Sequence, residues 1–484
     1  MTTDPSKQSL PASLLERQSR GGEVGEGGVN FQADVVLSLI PKWLADEGFS
    51  SLVRESIGDT EAKFFAPSVG YRKELVEAKN HKLGTAEFWG EIDRFRQIAM
   101  DTGGEYRSFT IACTGFVDTL QPLIADLKRI IGPYDFYSDS KIRENSLAQL
   151  RDRVIGVGGD ADDAEFLLDR VQIIDGLTLA NENGRALFKQ SLPDHHPQFH
   201  DLSGRIVDEI YSDLSHFVRD RINKTITRTE IEKLINDRLP ADHRTLSPNA
   251  IRVHTESKAN EDDITGVLTF HWEDFSRLED RKYPPAEEWN KNLLGQLTST
   301  KNWMLEHRDT RRLQLTGERR LSAAVAFGFV FSAVSGFAID MNHRGNSYST
   351  DSHADAETKY DLTFSHEGSD KGERLIVSVG IIREIASGVG EYLQNESMDD
   401  SPQLHIHGAE AITSAEHANY IAGKIKKLIS ESLNQSGAVH IDLFIGAPSF
   451  LALFLGHRLN ATAPVQCYEW LGAGRYHPTC RLFT

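Results

Sequence analysis

The stretch that most narrows what this chain can fold into lies near its C-terminal end. Arg374-Leu-Ile-Val-Ser-Val-Gly380 and Val439-His-Ile-Asp-Leu-Phe-Ile445 are apolar almost throughout, and Val465-Gln-Cys-Tyr-Glu-Trp470 follows them. Helical patterns over Ala415 to Leu433 and Pro448 to Leu459 separate the three. Strands without in/out alternation are buried on both faces, and strands alternating with helices specify a parallel, doubly wound sheet. Such a sheet binds ligands at the carboxyl ends of its strands. A chain of 484 residues with 39% hydrophobic residues is too long for that sheet alone and implies two or three domains.

Upstream, Asp34 to Gly48 reads as an amphipathic helix with Val35, Leu37, Ile40 and Leu44 inward, a break near Pro41 and a stop at Gly48. Residues 1–28 read as a flexible, Gly-rich lead-in. Glu61 to Phe65 and Arg72 to Lys79 predict a hairpin around Ala66-Pro-Ser-Val-Gly70. Thr85 is placed to cap a helix through Met100, Phe109 to Cys113 is a buried strand, and Leu120 to Ile131 a helix ending at Gly132-Pro133. Helices over 201–245 are expected as a bridge to a second module. That module opens with a strand at Leu268 to Trp272, a helix over Lys291 to Arg308, a basic strand and turn from Arg311 to Arg320 and an apolar helix over Leu321 to Ser335, before a polar insertion at Gly345 to Lys371.

Two places carry chemistry. In Glu77-Ala-Lys79 a carboxylate and an ammonium two residues apart project from one strand face, and Asp59 on the preceding strand can complete an oxygen-rich pocket for a hard divalent cation. That requires Asp59 to share their face, because a one-residue slip reverses it. The same residues could equally decorate a solvated hairpin. Arg72, Lys73 and Lys82 on the strand, with His81, would contact phosphates locally, against an overall charge of -18 from 53 basic and 71 acidic residues. The second place is the C-terminal crevice. Ser378, Gly380, Gly446, Ala447, Pro448 and Ser449 are candidates for a phosphate cradle, with Arg308, Arg311 and Arg312 neutralising charge and Trp272 stacking on a base.

Other apparent motifs carry no function. Asp194 to His200 lacks metal-ligand spacing, Gly156-Val-Gly-Gly159 lacks the remainder of a dinucleotide fingerprint, and Gly446-Ala-Pro-Ser449 lacks the glycines of a nucleophile elbow. Three cysteines, none in a Cys-x-x-Cys pair, suit a reducing compartment, and no apolar run reaches membrane-spanning length, so a cytoplasmic location is expected.

Phe270-His-Trp272, Thr316-Gly-Glu-Arg-Arg-Leu-Ser322, Gly336-Phe337, His440 to Phe450, Leu455-Gly456 and Tyr468-Glu469 follow one another in the second half of the chain. By these stretches the chain from about residue 246 to the C-terminus resembles the SAVED domain of bacterial CBASS anti-phage systems. Residues 29–200 resemble the restriction-endonuclease-like nucleases to which such domains are fused. Asp59 with Glu77-Ala-Lys79 matches the PD-(D/E)xK pattern, with Gly58 in place of the usual proline, and Gly28-Val-Asn-Phe-Gln32 resembles the helix-entry motif. Gln32 would be the helix residue of the site, with Asp34 as its competitor. The resemblance implies an α/β chain in which a mixed-sheet nuclease domain precedes two fused CARF-like, Rossmann-like units. It implies that a cyclic oligonucleotide, a di- or trinucleotide with the trinucleotide favoured, activates Mg2+-dependent cleavage of double-stranded DNA. It also implies self-association of the chain on ligand binding.

Overall fold

In a computed structural model the described residues are 26–134, 141–177, 181–244, 250–257, 266–276, 283–354, 358–472 and 474–483. They form two bodies, one made of elements up to Ser247 apart from the Ala66–Gly70 turn, the other of elements from Pro248 onward. The expected lead-in lies mostly outside the described residues.

The first body begins with α1 (Glu26–Ala45), β1 (Phe49–Arg54), β2 (Thr60–Ala66), β3 (Gly70–Leu83), α2 (Thr85–Asp101) and β4 (Tyr106–Phe116). It continues through α3 (Gln121–Tyr134), α4 (Lys141–Gly156), α5 (Asp163–Arg170), β5 (Val171–Ile174), α6 (Asn181–His195), α7 (Gly204–Arg219), β6 (Thr225–Thr227) and α8 (Arg228–Arg238). Its six strands lie in the order β5-β4-β3-β2-β1-β6. The hairpin partners β2 and β3 are neighbours, and β4 and β5 extend the sheet in parallel. One apolar core gathers Val76, Ala78 and Ala112 with α1, α6, α7 and α8, while a second gathers Leu75, Ile111 and Cys113 with α2, α3 and α5. Alternation along β3 therefore sends even-numbered residues into one core and odd-numbered ones towards the other.

Several sequence expectations shift. The helix assigned to Asp34–Gly48 is longer, running from Glu26 through Pro41 to Ala45. Gly48 comes after it, where a Cβ would lie 2.3 Å from the carbonyl oxygen of Phe65, so the residue serves a close backbone approach. Thr85 does not cap α2; Gly84 is the N-cap and the Thr85 hydroxyl bonds Thr119 at 2.8 Å. The helix over 121–134 continues past Gly132-Pro133. The expected bridge over 201–245 is built into the first body: α7 and α8 contribute Val207, Ile210, Leu214, Ile231 and Ile235 to its core, and β6 pairs with β1. Apolar spacing along a helix does not reveal which neighbour it packs on.

The second body carries two sheets. The first is made by β7 (Ile251–Glu256), β8 (Leu268–His271), β9 (Arg312–Gly317), β10 (Ala338–His343) and β11 (Asn346–Ser349), in the order β11-β10-β9-β7-β8. The helical segments α9 (Glu273–Ser276), α10 (Ala286–Glu288) and α11 (Gly295–His307) lie between β8 and β9, and a π turn over Trp289–Leu294 joins the last two. The other sheet is made by β12 (Thr363–Glu367), β13 (Arg374–Ile381), β14 (Gln403–Gly408), β15 (His440–Gly446), β16 (Val465–Gly472) and β17 (Arg475–Leu482), in the order β12-β14-β13-β15-β16-β17. The core of each sheet is parallel, which the strand pattern predicts for the sheet of β13, β15 and β16; the edges β11, β12 and β17 are antiparallel. Strand β14, and the strands β11 and β12 inside the supposed polar insertion, were not anticipated.

Two apolar helices, α12 (Leu321–Val330) and α15 (Ser449–Arg458), cross at glycines. A Cβ on Gly328 would lie 2.0 Å from the Leu453 carbonyl oxygen, and one on Gly456 2.1 Å from that of Val325. Backbones this close explain why both helices are apolar nearly all round: each is enclosed on every side. The remaining helices are α13 (Ala386–Asn395) and α14 (Ala415–Ser436), the latter capped by Ser414 and ended by Gly437 at φ 72°.

Candidate functional site

The polar cleft of the first body forms where α1, β3, α2 and the turn before β2 meet. It encloses about 340 Å³ and is lined by Gly28, Gln32, Asp59, Glu77, Lys79 and Arg94 among others. Glu77 and Lys79 share one face of β3, as their spacing predicts. Asp59 reaches them by a route alternation does not describe: it lies just before β2, and its Oδ2 accepts the backbone N–H of Ala78 at 2.6 Å. Its Oδ1 accepts a hydrogen bond from Gln32 Nε2 at 2.7 Å. Asp34, the competing helix residue, turns elsewhere and bonds Tyr211 and Arg219. Gly58 borders the cleft because a Cβ there would lie 2.8 Å from Leu75 and 3.4 Å from Glu77 Oε2, leaving no room for a proline ring.

Burial and the Glu77 charge push the Asp59 carboxyl up to about 8. Burial alone would lower the Lys79 pKa, but Glu77 and Glu91 outweigh it and hold the ammonium above the ordinary lysine value. Lys79 Nζ lies 2.9 Å from both Glu77 Oε1 and Glu91 Oε1, and Arg94 Nη2 lies 2.7 Å from Glu77 Oε2. Glu91 and Arg94 were missed at the sequence level. Their signal was available: they sit three apart on α2, beside the apolar stripe Phe88, Ile92 and Phe95. The fit to a hard cation can be judged from the donors themselves. Gln32 Oε1 is buried without a hydrogen-bond partner among the described residues, beside an Asp carboxyl that loses stability as it ionises. Oxygen donors such as Gln32 Oε1 and the Asp59 carboxyl suit magnesium-like ions, which keep some of their own water.

The expected basic strip does not assemble there. Arg72 and Lys73 lie at the other end of β3, roughly 20 Å along the strand from Lys79 at about 3.3 Å per residue. Arg72 bonds the Gly104 carbonyl and Lys73 pairs with Glu105 at 3.1 Å. Lys82 is exposed close to the cleft, and His81 pairs with Glu87 at 3.0 Å. Among the discounted motifs, His196 is buried; its Nε2 donates to the Pro41 carbonyl at 2.9 Å, and burial pushes its pKa down to about 4.

In the second body the crevice residues separate. Gly380 and Gly446 are register partners at the carboxyl ends of β13 and β15, and Ala447, Pro448 and Ser449 lead into α15. The space above the glycines is taken by the chain itself: added Cβ atoms would lie 2.4 Å from the Arg383 carbonyl oxygen and 2.6 Å from Ile385. Ser378 is buried and bonds His405 Nδ1 at 2.7 Å. Trp272 is 1% exposed, packs on Phe270 and donates to Gln296, so it is core and not a stacking platform. Arg308, Arg311 and Arg312 precede or begin β9, the wrong end of a parallel strand for the crevice. Arg312 pairs with Asp340 at 2.5 Å and Asp351 at 2.9 Å, Arg311 donates to the Ser335 carbonyl, and Arg308 lies over Trp303.

The carboxyl end of the other sheet holds a different cation. The chain passes from β7 to β8 on one side and to β9 on the other, a topological switch point. Arg319, just past β9, donates to the Thr255 hydroxyl and to the carbonyls of Thr316 and Gly317. Burial lowers its pKa to about 10. Its Nη1 has no hydrogen-bond partner, and no carboxylate pairs with it, among the described residues. Gly317 makes this possible at φ 81°, with β7 so near that a Cβ would lie 2.1 Å from the Thr255 oxygen. Among the described residues no helix is long and apolar enough to cross a membrane.

Comparison with known proteins gives these sites a family setting. Residues 296–482 match the family model described as SAVED, the SMODS-associated and fused to various effectors sensor domain. The chain is 30% identical over 475 residues to the CD-NTase-associated protein 4 of Moraxella osloensis, covering 98% of this chain and all of the relative. It is 30% identical over 481 residues to that of an Acinetobacter strain, again covering 98% and 100%. Among solved structures it resembles the Acinetobacter baumannii Cap4 SAVED/CARF-domain containing receptor with the cyclic trinucleotide 3'3'3'-cAAA, at a TM-score of 0.80 and 26% identity over 94% of this chain and 98% of that one. The Moraxella osloensis Cap4 receptor matches at a TM-score of 0.75 and 27% identity, covering 95% and 100%. Relatives that match from end to end at this identity show that the chain belongs to the CD-NTase-associated protein 4 family.

Proposed function

We propose that the chain is a CBASS anti-phage effector: its C-terminal body binds a cyclic trinucleotide, and its N-terminal body then degrades double-stranded DNA with a divalent cation. The observation that carries the catalytic half is the meeting of Gln32, Asp59, Glu77 and Lys79 in one cleft from three separate elements. The sensing half is supported by the cyclic trinucleotide held by the receptor of similar fold. In this reading the restriction-endonuclease-like character of the first body, residues 29–200 with the packed helices beyond, and self-association on ligand binding are parts of one cytoplasmic device.

Asp59, Glu77 and Gln32 Oε1 would hold Mg2+, which when bound supplies a Lewis acid for the attacking water and the scissile phosphate. Lys79 stays protonated at neutral pH because two carboxylates face it. It therefore acts as a fixed positive charge on a non-bridging phosphate oxygen, and not as the base that takes the proton of water. Lys82 lies at the mouth to meet the DNA backbone. In the sensing half, Arg319 offers an unpaired N–H to a ligand phosphate at the switch point, in place of Arg308, Arg311 and Arg312.

The test incubates the purified chain with plasmid, Mg2+ and a panel of cyclic di- and trinucleotides. Degradation with one trinucleotide and none without it is the expected result. Cleavage of equal rate without nucleotide removes the gating. Ligand binding with no cleavage under any condition reduces the first body to an interaction module.

A further inference from the structure

Both oxygens of Glu77 are already engaged. Oε1 faces Lys79 Nζ at 2.9 Å and Oε2 faces Arg94 Nη2 at 2.7 Å. The same two cations meet again on Glu91, whose Oε1 lies 2.9 Å from Lys79 Nζ and whose Oε2 lies 3.3 Å from Arg94 Nε. Four charges thus alternate around a closed ring, two from β3 and two from one turn of α2, with no side chain more than 23% exposed. A hard cation that takes an oxygen of Glu77 meets the positive charge of Lys79 or Arg94 there, and like-charge repulsion favours release of one of them; the released charge needs a second acceptor, because an unpaired buried charge is costly. Glu91 is that acceptor for both.

We infer that Glu91 and Arg94 are positioning residues of this site: Arg94 competes with the metal ion for Glu77, and Glu91 retains Lys79 and Arg94 in place when Glu77 turns to the ion. The inference rests on the metal-dependent reading of the cleft. Its charge arithmetic is simple. With Asp59 ionised, the three carboxylates Asp59, Glu77 and Glu91 face the two cations Lys79 and Arg94, so the site carries one net negative charge. Arg94→Gln doubles that charge and frees Glu77. Glu91→Gln cancels it and leaves both cations leaning on Glu77. The two variants should therefore move metal affinity in opposite directions. A ring that only staples α2 to β3 would lose stability in both and move affinity in neither.

The experiment titrates Mn2+ into the full-length protein without DNA or nucleotide and follows free Mn2+ by electron paramagnetic resonance. The changes expected are those of outer-shell partners, on the order of tenfold. Arg94→Gln should lower half-saturating Mn2+ by about that factor, Glu91→Gln should raise it similarly, and Arg94→Lys, which keeps the charge, should stay near wild type. Shifts in the same direction, or none, overturn the inference while uptake by wild type and its loss in Asp59→Asn leave the metal site standing. Absence of Mn2+ uptake by wild type, or uptake undiminished in Asp59→Asn, overturns the metal site and the inference together. Should Arg94→Gln fail to fold, Glu91→Gln decides alone: unchanged or tighter binding overturns the assignment.

Discussion

If the cleft holds a divalent cation as proposed, Asp59 would make it a proton–metal exchanger, and the size of the effect follows from its environment. Its carboxyl titrates at about 8 because burial and the neighbouring Glu77 charge oppose ionisation. A cation held by the carboxylate would compete with the proton, and the apparent dissociation constant would scale as one plus the ratio of protonated to ionised Asp59. Between pH 6 and pH 7 that factor falls about ninefold, and between pH 6 and pH 8 about 50-fold, with about a further twofold by pH 9. A carboxylate at its ordinary value would give no change over this range. The sign for stability is opposite. A folded-state pKa above the unfolded value stabilises the protein fully below pH about 3.8 and is lost as pH rises through about 8. Without metal, Asp59→Asn should therefore melt higher than wild type at pH 8 to 9 and the same as wild type near pH 4. Mn2+ titration calorimetry at pH 6, 7, 8 and 9 reads the first effect and thermal melting the second. Affinity that is flat from pH 6 to 8, in a protein whose binding is still lost in Asp59→Asn, would refute the assignment of the raised pKa to this group.

Other expectations can be checked separately. Lys79→Ala should reduce nucleotide-stimulated plasmid cleavage roughly 100- to 1,000-fold, the usual cost of one transition-state charge donor, with nucleotide affinity by calorimetry unchanged. Arg319→Ala should weaken binding of a cyclic trinucleotide at least about tenfold, as expected of one lost charge-assisted contact, whereas Arg312→Ala should lower the melting temperature and leave affinity alone. Gly456→Val puts a side chain where a Cβ already falls 2.1 Å from a carbonyl oxygen. At about 3 kcal/mol or more for such overpacking, and about 2–4 °C per kcal/mol in a body of this size, melting should drop by at least about 6 °C. A smaller drop would mean that α12 and α15 separate readily.

Much of the sensing body was legible because buried parallel strands announce themselves: β13, β15 and β16 carry apolar runs that few other structures need. Strand β14 escaped because Gln403-Leu-His-Ile-His-Gly408 mixes polar residues into a buried strand, its His405 satisfied by Ser378 and Gln403. The expected gathering of Arg308, Arg311 and Arg312 at the carboxyl end of a sheet does not occur, for one physical reason. A basic residue at the amino end of a parallel strand reads the same in sequence as one at the carboxyl end, and only strand direction separates Arg312 from Arg319. Trp272 failed differently, since an indole that can stack on a base packs equally well on Phe270.

In the first body, the spacing of Glu77 and Lys79 determined by itself that they share a face, because strand periodicity is local. Asp59 was also legible as a candidate acidic partner. What the sequence could not determine is how Asp59 reaches them, from a turn onto the backbone of Ala78, or that Gln32 and not Asp34 bonds it. Nor could it place Glu91 and Arg94 around the same carboxylate. Those contacts join α1, β3, α2 and a turn that are distant in sequence, and they exist only once the two cores on either face of the sheet have fixed where each element lies.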